Sequence, residues 1–310
     1  MTDKSSLLTL VGLNIEGLWN LPLLKNAAEL SDAPLLFVHQ EDEPSGHTAH
    51  TNRVASIEDL RGHFDHLLAC ETGRRSRSIY EYPTPRGRTA LLVGNELAGI
   101  SQADLRKADQ VVSVPMRQSQ MSSVNVGVAA AISLYTLRND LARKGMKSSR
   151  IKQANVDVLL YGASDPSELG SLLRSVWAFG WRRAFLDDQA GVWFTKHRET
   201  ILAGRAAARR ERNPLVVLPI DRLVLADYDA VIACPIEPSG MPLSRFRLPR
   251  AERLLITFGV GARPDACSRM PTQTIAIDYA NRAVTPLYRH AGSILLSYIS
   301  TRLQSESRHG

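Results

Sequence analysis

The chain has 310 residues, a length suited to two domains of ordinary size, and 44% hydrophobic against 22% charged residues lets it bury real cores. Its 38 basic and 31 acidic side chains leave +7, a mild excess that serves phosphate contacts or a solvated surface equally. No apolar run reaches the roughly 18–20 residues of a membrane span, Met1–Ser6 lacks the layout of a secretion signal, and Cys70, Cys234 and Cys267 lie far apart, so a cytoplasmic protein without a disulfide framework is expected.

In chain order, short apolar runs predict strands at Leu7–Gly12, Pro34–Val38, His66–Cys70, Ala90–Val93 and Gln110–Val114. Amphipathic stretches between them predict helices at Leu18–Leu30, Ser56–Phe64, Ser101–Ala108 and Ser123–Arg143. The pattern then recurs, with strands at Val156–Tyr161, Arg183–Leu186, Leu215–Leu218, Asp229–Ala233, Arg253–Thr257 and Gln273–Ile277. Its helices fall at Pro166–Phe179, Thr195–Arg210 and Leu287–Leu303. Uninterrupted apolar strands alternating with helices imply an α/β fold, a parallel sheet covered on both faces. Ligands of such sheets sit beyond the carboxyl ends of the strands, where Gly94–Gly99 and Pro115–Asn125 fall.

The recurrence extends to residues. Ala90–Met116 aligns without a gap on Arg253–Tyr279, Cys70 falls on Cys234, Leu23-Leu24-Lys25 on Leu172-Leu173-Arg174, and Ala129–Leu134 on Ala291–Leu296. Four blocks in one order predict a tandem duplication, with domains at 1–145 and 153–310. The basic stretch 146–152, continuous with Arg143–Arg150 and carrying Gly and Ser, reads as the linker. Further basic clusters stand at Arg74, Arg75 and Arg77, at Arg86 and Arg88, and at Arg205, Arg209, Arg210 and Arg212.

Two segments carry chemistry. Gly94-Asn-Glu96-Leu-Ala-Gly99 follows a strand and opens onto a helix, where glycines permit tight turns and close backbone approach to a ligand. Val114-Pro115-Met116 ends the next strand, and Ser123-Val124-Asn125 begins a helix of small and apolar residues. Ser123 stands where an N-cap is expected, whereas Asn125 in a first turn is a poor helix former and points to a side-chain role. His47 and His50, and His63 and His66, have spacings open to metal, but no cysteines accompany them and no metal is expected. Trp177 and Trp181 read as packing residues rather than base-stacking platforms.

Together, GNELAGI, a strand ending VPM and SVNVGVAAAISLY over Ala90–Tyr135 resemble the signature of the SpoU/TrmH family of SPOUT methyltransferases. The resemblance implies two tandem SPOUT-like parallel-sheet domains with C-terminal trefoil knots, arranged as an intramolecular pseudo-dimer, so that a monomer suffices. It implies S-adenosylmethionine as cofactor and RNA, at a ribose 2′-hydroxyl of rRNA or tRNA, as substrate. Residue by residue it assigns cofactor contacts to Ala69, Cys70, Glu71, Gly94, Glu96, Val114, Met116, Ser123, Val124 and Asn125. Glu96 and Asn125 also enter the catalytic set it implies, which is completed by the second half.

The family's arginine motif is met by Arg174, while the first half has Lys25. Conversely, the second half aligns Gly259 with Glu96 and Thr285-Pro-Leu287 with Ser123-Val-Asn125. Each half thus lacks what the other retains, which predicts one working site built from the first half's cofactor pocket and Arg174. Where the family has asparagine, six residues before the arginine, this chain has Glu168, a candidate general base. That departure motivates a small-molecule or peptide acceptor as the alternative to RNA. A non-catalytic RNA-binding protein is the further alternative.

Overall fold

A computed structural model of the chain describes residues 7–17, 19–38, 52–73, 75–117, 123–142, 151–209, 212–264 and 272–304. It divides into two compact units. The first comprises Met1–Pro115, Asn125–Gly145 and Tyr279–Pro286, and the second Met116–Val124, Met146–Asp278 and Leu287–Gly310. The basic stretch 143–150 of the predicted linker lies outside the described residues, as do His47 and His50.

The first unit runs β1 (Leu8–Leu13), α1 (Asn20–Leu30), β2 (Leu35–Val38), β3 (Asn52–Val54), α2 (Ile57–Arg61), β4 (His66–Cys70), β5 (Arg77–Ser78), β6 (Thr89–Val93), α3 (Gln102–Leu105), β7 (Gln110–Ser113) and α4 (Val126–Arg138). Its strands form one parallel sheet in the order β3-β2-β1-β6-β4-β7-β5. All six residues of β1 and all five of β6 are buried, as central strands covered on both faces require. Val11, Leu13, Leu60, Leu67, Ala69 and Leu92 share one core cluster. Helix α4 is buried almost all round and packs on α1, where Arg138 donates to the Ser31 carbonyl at 2.8 Å and ties the two helix ends together.

The second unit runs β8 (Val156–Tyr161), α5 (Pro166–Ala178), β9 (Arg183–Asp187), α6 (Arg198–Ala207), β10 (Val216–Pro219), β11 (Ala230–Pro235), β12 (Met241–Pro242), β13 (Leu254–Gly259), β14 (Thr272–Ala276) and α7 (Tyr288–Gln304). Its sheet order, β10-β9-β8-β13-β11-β14-β12, is that of the first unit strand for strand. Helix α5 starts where the sequence dictates: the Asp165 side chain accepts from the backbones of Ser167 and Glu168, and Pro166 occupies the first turn. Buried Asp157 on β8 is matched by a bidentate Arg183, both bonds 2.7 Å, and by the Tyr228 hydroxyl at 2.8 Å.

Strand pairing corrects the sequence alignment. Cys70 pairs with Val93 and Gly12 pairs with Val93, while Cys234 pairs with Phe258 and Leu160 pairs with Phe258. With Cys70 set on Cys234, Val93 therefore corresponds to Phe258 and Gly94 to Gly259. The counterpart of Glu96 becomes Gly261 rather than Gly259.

Candidate functional site

In the first unit the loop after β6 is fastened from three sides. The Asn95 side chain donates to the Asn14 carbonyl (2.8 Å) and accepts from the backbones of Leu97 (2.7 Å) and Ala98 (3.0 Å). Glu71 accepts from the Ile100 N–H at 2.9 Å and, with its other oxygen, from the Thr72 N–H at 2.8 Å. Gly94 is required by space, since a Cβ there would lie 2.4–2.6 Å from the backbone of Gly99 and Ile100. Gly99 adopts φ +68°, and a Cβ on it would strike the Glu71 carboxylate. The rigid loop leaves Leu97 84% exposed at the carboxyl end of the sheet.

Glu96 turns back into the unit. One carboxylate oxygen accepts from the Gly17 N–H at 2.6 Å and from the Asn20 amide at 2.8 Å, and Asn20 accepts from the Asn125 amide at 2.9 Å. Asn125 also caps α4, its side-chain oxygen accepting from the Gly127 N–H at 2.8 Å. The cap is thus Asn125 and not Ser123, and Asn125 stands before the first turn in extended geometry rather than inside it. Among the described residues the second oxygen of Glu96 is buried without a partner.

Ala69 and Val114 are buried in β4 and after β7. The Cys70 thiol lies 3.3 Å from the Ser133 hydroxyl. Burial pushes its pKa up to about 11 against the lowering effect of that hydrogen bond, so it is not a thiolate at neutral pH. Met116, Ser123 and Val124 belong to the second unit.

In the second unit Arg174 projects from α5. Its Nε donates to the Ser123 carbonyl (2.6 Å) and one terminal nitrogen donates to the Ser123 hydroxyl (2.7 Å) and the Val124 carbonyl (3.1 Å). Burial, followed by the charge of Arg209, depresses the Arg174 guanidinium to about 9. It therefore remains a cation at neutral pH. A pocket beside it is lined by Ser123, Arg174, Trp177, Arg209, Arg212 and Asn213. Glu168 does not share this pocket. Its two oxygens accept from the Arg289 backbone N–H (3.0 Å) and the Arg289 Nε (2.6 Å) at the start of α7. Trp181 is buried, and the guanidinium of Arg117 stacks 4.5 Å above the Trp177 ring.

Sequence reasoning passed over Asn20 and Asn95, which hold the first unit's cluster together. The signal for Asn20 was an asparagine just inside a helix start, where its side chain competes for backbone partners. For Asn95 it was the Gly-Asn turn following a buried strand.

Parallel α/β sheets with a glycine-bounded loop at the carboxyl end of a central strand define the class of this protein: an α/β chain that presents its candidate ligand surface at strand ends. Residues 38–135 match the SpoU rRNA Methylase family. This segment, about a third of the chain, is what carries the similarity to that family. It is 30% identical over 114 residues to the tRNA (guanosine(18)-2'-O)-methyltransferase of Escherichia coli K12, covering 36% of this chain and 49% of that protein. The enzyme of the same name from Aquifex aeolicus is 42% identical over 99 residues, 31% of this chain and 45% of its own. The chain thus spans about half the length of these relatives. Among solved structures, the A. aeolicus TrmH/SpoU tRNA modifying enzyme gives a TM-score of 0.38 at 23% identity, over 47% of this chain and 82% of that one. The SpoU methyltransferase AviRb of Streptomyces viridochromogenes, in complex with the cofactor AdoMet, gives 0.37 at 21%, over 45% and 58%.

Proposed function

We propose that the chain is an S-adenosylmethionine-dependent methyltransferase acting on RNA, at a ribose 2′-hydroxyl of tRNA or rRNA. The observation that carries the reading is the fastened loop 94–100 within the family segment 38–135, together with the Asn20–Glu96–Asn125 cluster. The relatives are tRNA 2′-O-methyltransferases by name, which supports the same substrate class.

The residues of the first unit fit the cofactor. Exposed Leu97 offers apolar surface to an adenosyl group, the cramped Gly94 lets backbone come close, and the orphaned oxygen of Glu96 suits a ligand rich in hydrogen-bond donors. Ala69, Cys70, Gly94, Val114 and Asn125 would contribute to holding it, while Glu71 and Glu96 fix the loop. When bound, the group supplies an electrophilic methyl on a sulfonium sulfur. Arg174, a desolvated cation, stabilises negative charge developing on the acceptor oxygen. Glu168 acts as a positioning residue through Arg289 rather than as a general base.

The reading includes two tandem copies of one SPOUT-like domain with trefoil knots, and the shared strand order supports it. In it, one chain carries one complete set of residues: cofactor determinants from the first copy and Arg174 from the second. Calorimetry tests this directly. One S-adenosylmethionine per chain, lost in Asn125→Ala, supports the reading. Two equal sites refute the division of labour, and no binding refutes the enzyme. Transfer of labelled methyl to total RNA, against a small-molecule extract, tests the substrate class.

A further inference from the structure

The pocket beside Arg174 has a lining of unusual chemistry. Three guanidinium side chains, Arg174, Arg209 and Arg212, face it, and among the described residues no carboxylate pairs with any of them. The Ser123 hydroxyl accepts from Arg174 at 2.7 Å and from Arg209 at 3.3 Å. Both of its lone pairs are then engaged, which leaves its proton to donate. The Asn213 amide is already spent, its NH2 directed to the Leu173 and Ala208 carbonyls and its oxygen receiving the Leu215 N–H. The free hydrogen-bonding capacity of the arginines and of Ser123 is therefore all donor.

Arg209 shows a second, independent sign. It follows the end of α6 with φ +49°, a left-handed conformation in which glycine or asparagine is the usual occupant. The chain places an arginine here, at a position where glycine or asparagine would be less strained. Mutual repulsion between the cations shows in the depressed Arg174 guanidinium, which Arg209 lowers further.

We infer that this pocket of the second unit is a binding site for a phosphate group, with Arg209 and Arg212 as its clamp and the Ser123 hydroxyl as an added donor. A phosphate offers only acceptors and carries the charge that suits three guanidiniums with no carboxylate partner among the described residues, and Arg forks match its oxygens two at a time. The occupant is a phosphodiester of the substrate strand, an assignment that rests on the methyltransferase reading above. Arg209 and Arg212 then act as positioning residues that set substrate affinity.

The test compares wild type with Arg209→Ala/Arg212→Ala and with Arg209→Gly. The probes are a uridine oligoribonucleotide at several salt concentrations and inorganic phosphate. The double variant is expected to bind the oligonucleotide at least about tenfold more weakly. Its log-affinity against log-salt slope should fall by about 1.4, at about 0.7 for each single-strand phosphate that an arginine no longer neutralises. Arg209→Gly should melt at a higher temperature yet bind more weakly, a combination that misfolding cannot produce. Phosphate should raise the Tm of wild type and not of the double variant. Oligonucleotide affinity and salt slope unchanged in the double variant overturn the strand assignment even if phosphate binds. No phosphate effect on wild type and no change with RNA overturn the site altogether. Wild type that takes phosphate at this pocket but transfers no methyl to RNA would sink the methyltransferase reading and leave the phosphate pocket standing.

Discussion

Asn20 joins Glu96 to Asn125: its amide donates to the Glu96 carboxylate at 2.8 Å while its carbonyl oxygen accepts from Asn125 at 2.9 Å. Asn20 is itself buried. Replacing it by Ala leaves a carboxylate and an amide short of partners inside the first unit. Asn20→Ala should destabilise the protein by about 1–3 kcal/mol in urea titrations. Glu96→Gln should lose less, because an amide oxygen can still receive both bonds.

Arg174 is expected to behave as a fixed cation. Its folded pKa lies near 9, so the charged form prevails at neutral pH and is lost as pH rises through that value. Methyl transfer should therefore hold steady in this group's titration up to about pH 8 and fall by half near pH 9. Arg174→Lys keeps the charge but cannot donate to the Ser123 carbonyl, the Ser123 hydroxyl and the Val124 carbonyl in the same planar geometry. It should lower kcat roughly 100-fold or more, with calorimetric cofactor binding retained.

Gly94→Ala addresses the loop. The added methyl would sit 2.4–2.6 Å from the Gly99 and Ile100 backbone, which Glu71 and Asn95 hold in place. The loop must open to admit it. Cofactor affinity should drop by at least an order of magnitude in calorimetry, with a loss of about 1–3 kcal/mol in stability.

His290 on α7 is wholly buried, and burial, with the Arg289 charge behind it, lowers its pKa from 6.5 to about 3. Between those values the unfolded chain takes up a proton that the folded chain refuses. Stability should fall as pH drops from about 6.5 towards 3, by up to about 1.4 kcal/mol for each pH unit from this group. A His290→Leu variant should lose less over the same interval in denaturant titrations.

The Tyr228 hydroxyl donates to buried Asp157, which also binds Arg183. Tyr228→Phe removes a hydrogen bond to a charged acceptor and should cost about 1.5–3 kcal/mol. Asp157→Ala should cost more, since it also strands Arg183.

Strands such as His66–Cys70 and Val156–Tyr161 were readable to the residue because central parallel strands are predominantly apolar, Asp157 being the one charged residue among them. Arg77–Ser78 and Met241–Pro242 were not, since two-residue edge strands hold on by backbone bonds and leave no side-chain period. Among site residues, Glu96 and Asn125 stood out by residue type and spacing. Their connector Asn20 did not: its place at a helix start marks a side chain seeking partners, but the partners themselves lie more than seventy residues away in the chain. Glu168 misled for a related reason: its charge was visible in the sequence, but its partner Arg289 lies far along the chain.

The sheet order also dictates when the first unit can form. Buried strand β1 is flanked by β2 and β6, and Gly12 must wait for Val93 before that side of the ladder closes. At about 5–20 residues per second of synthesis, six consecutive apolar-face residues remain half-paired for several seconds or longer. The nascent chain therefore carries an open, sticky strand edge until β6 has been made. Its yield in the cell should depend on chaperone capacity and elongation speed more than the equilibrium stability of the finished protein would suggest.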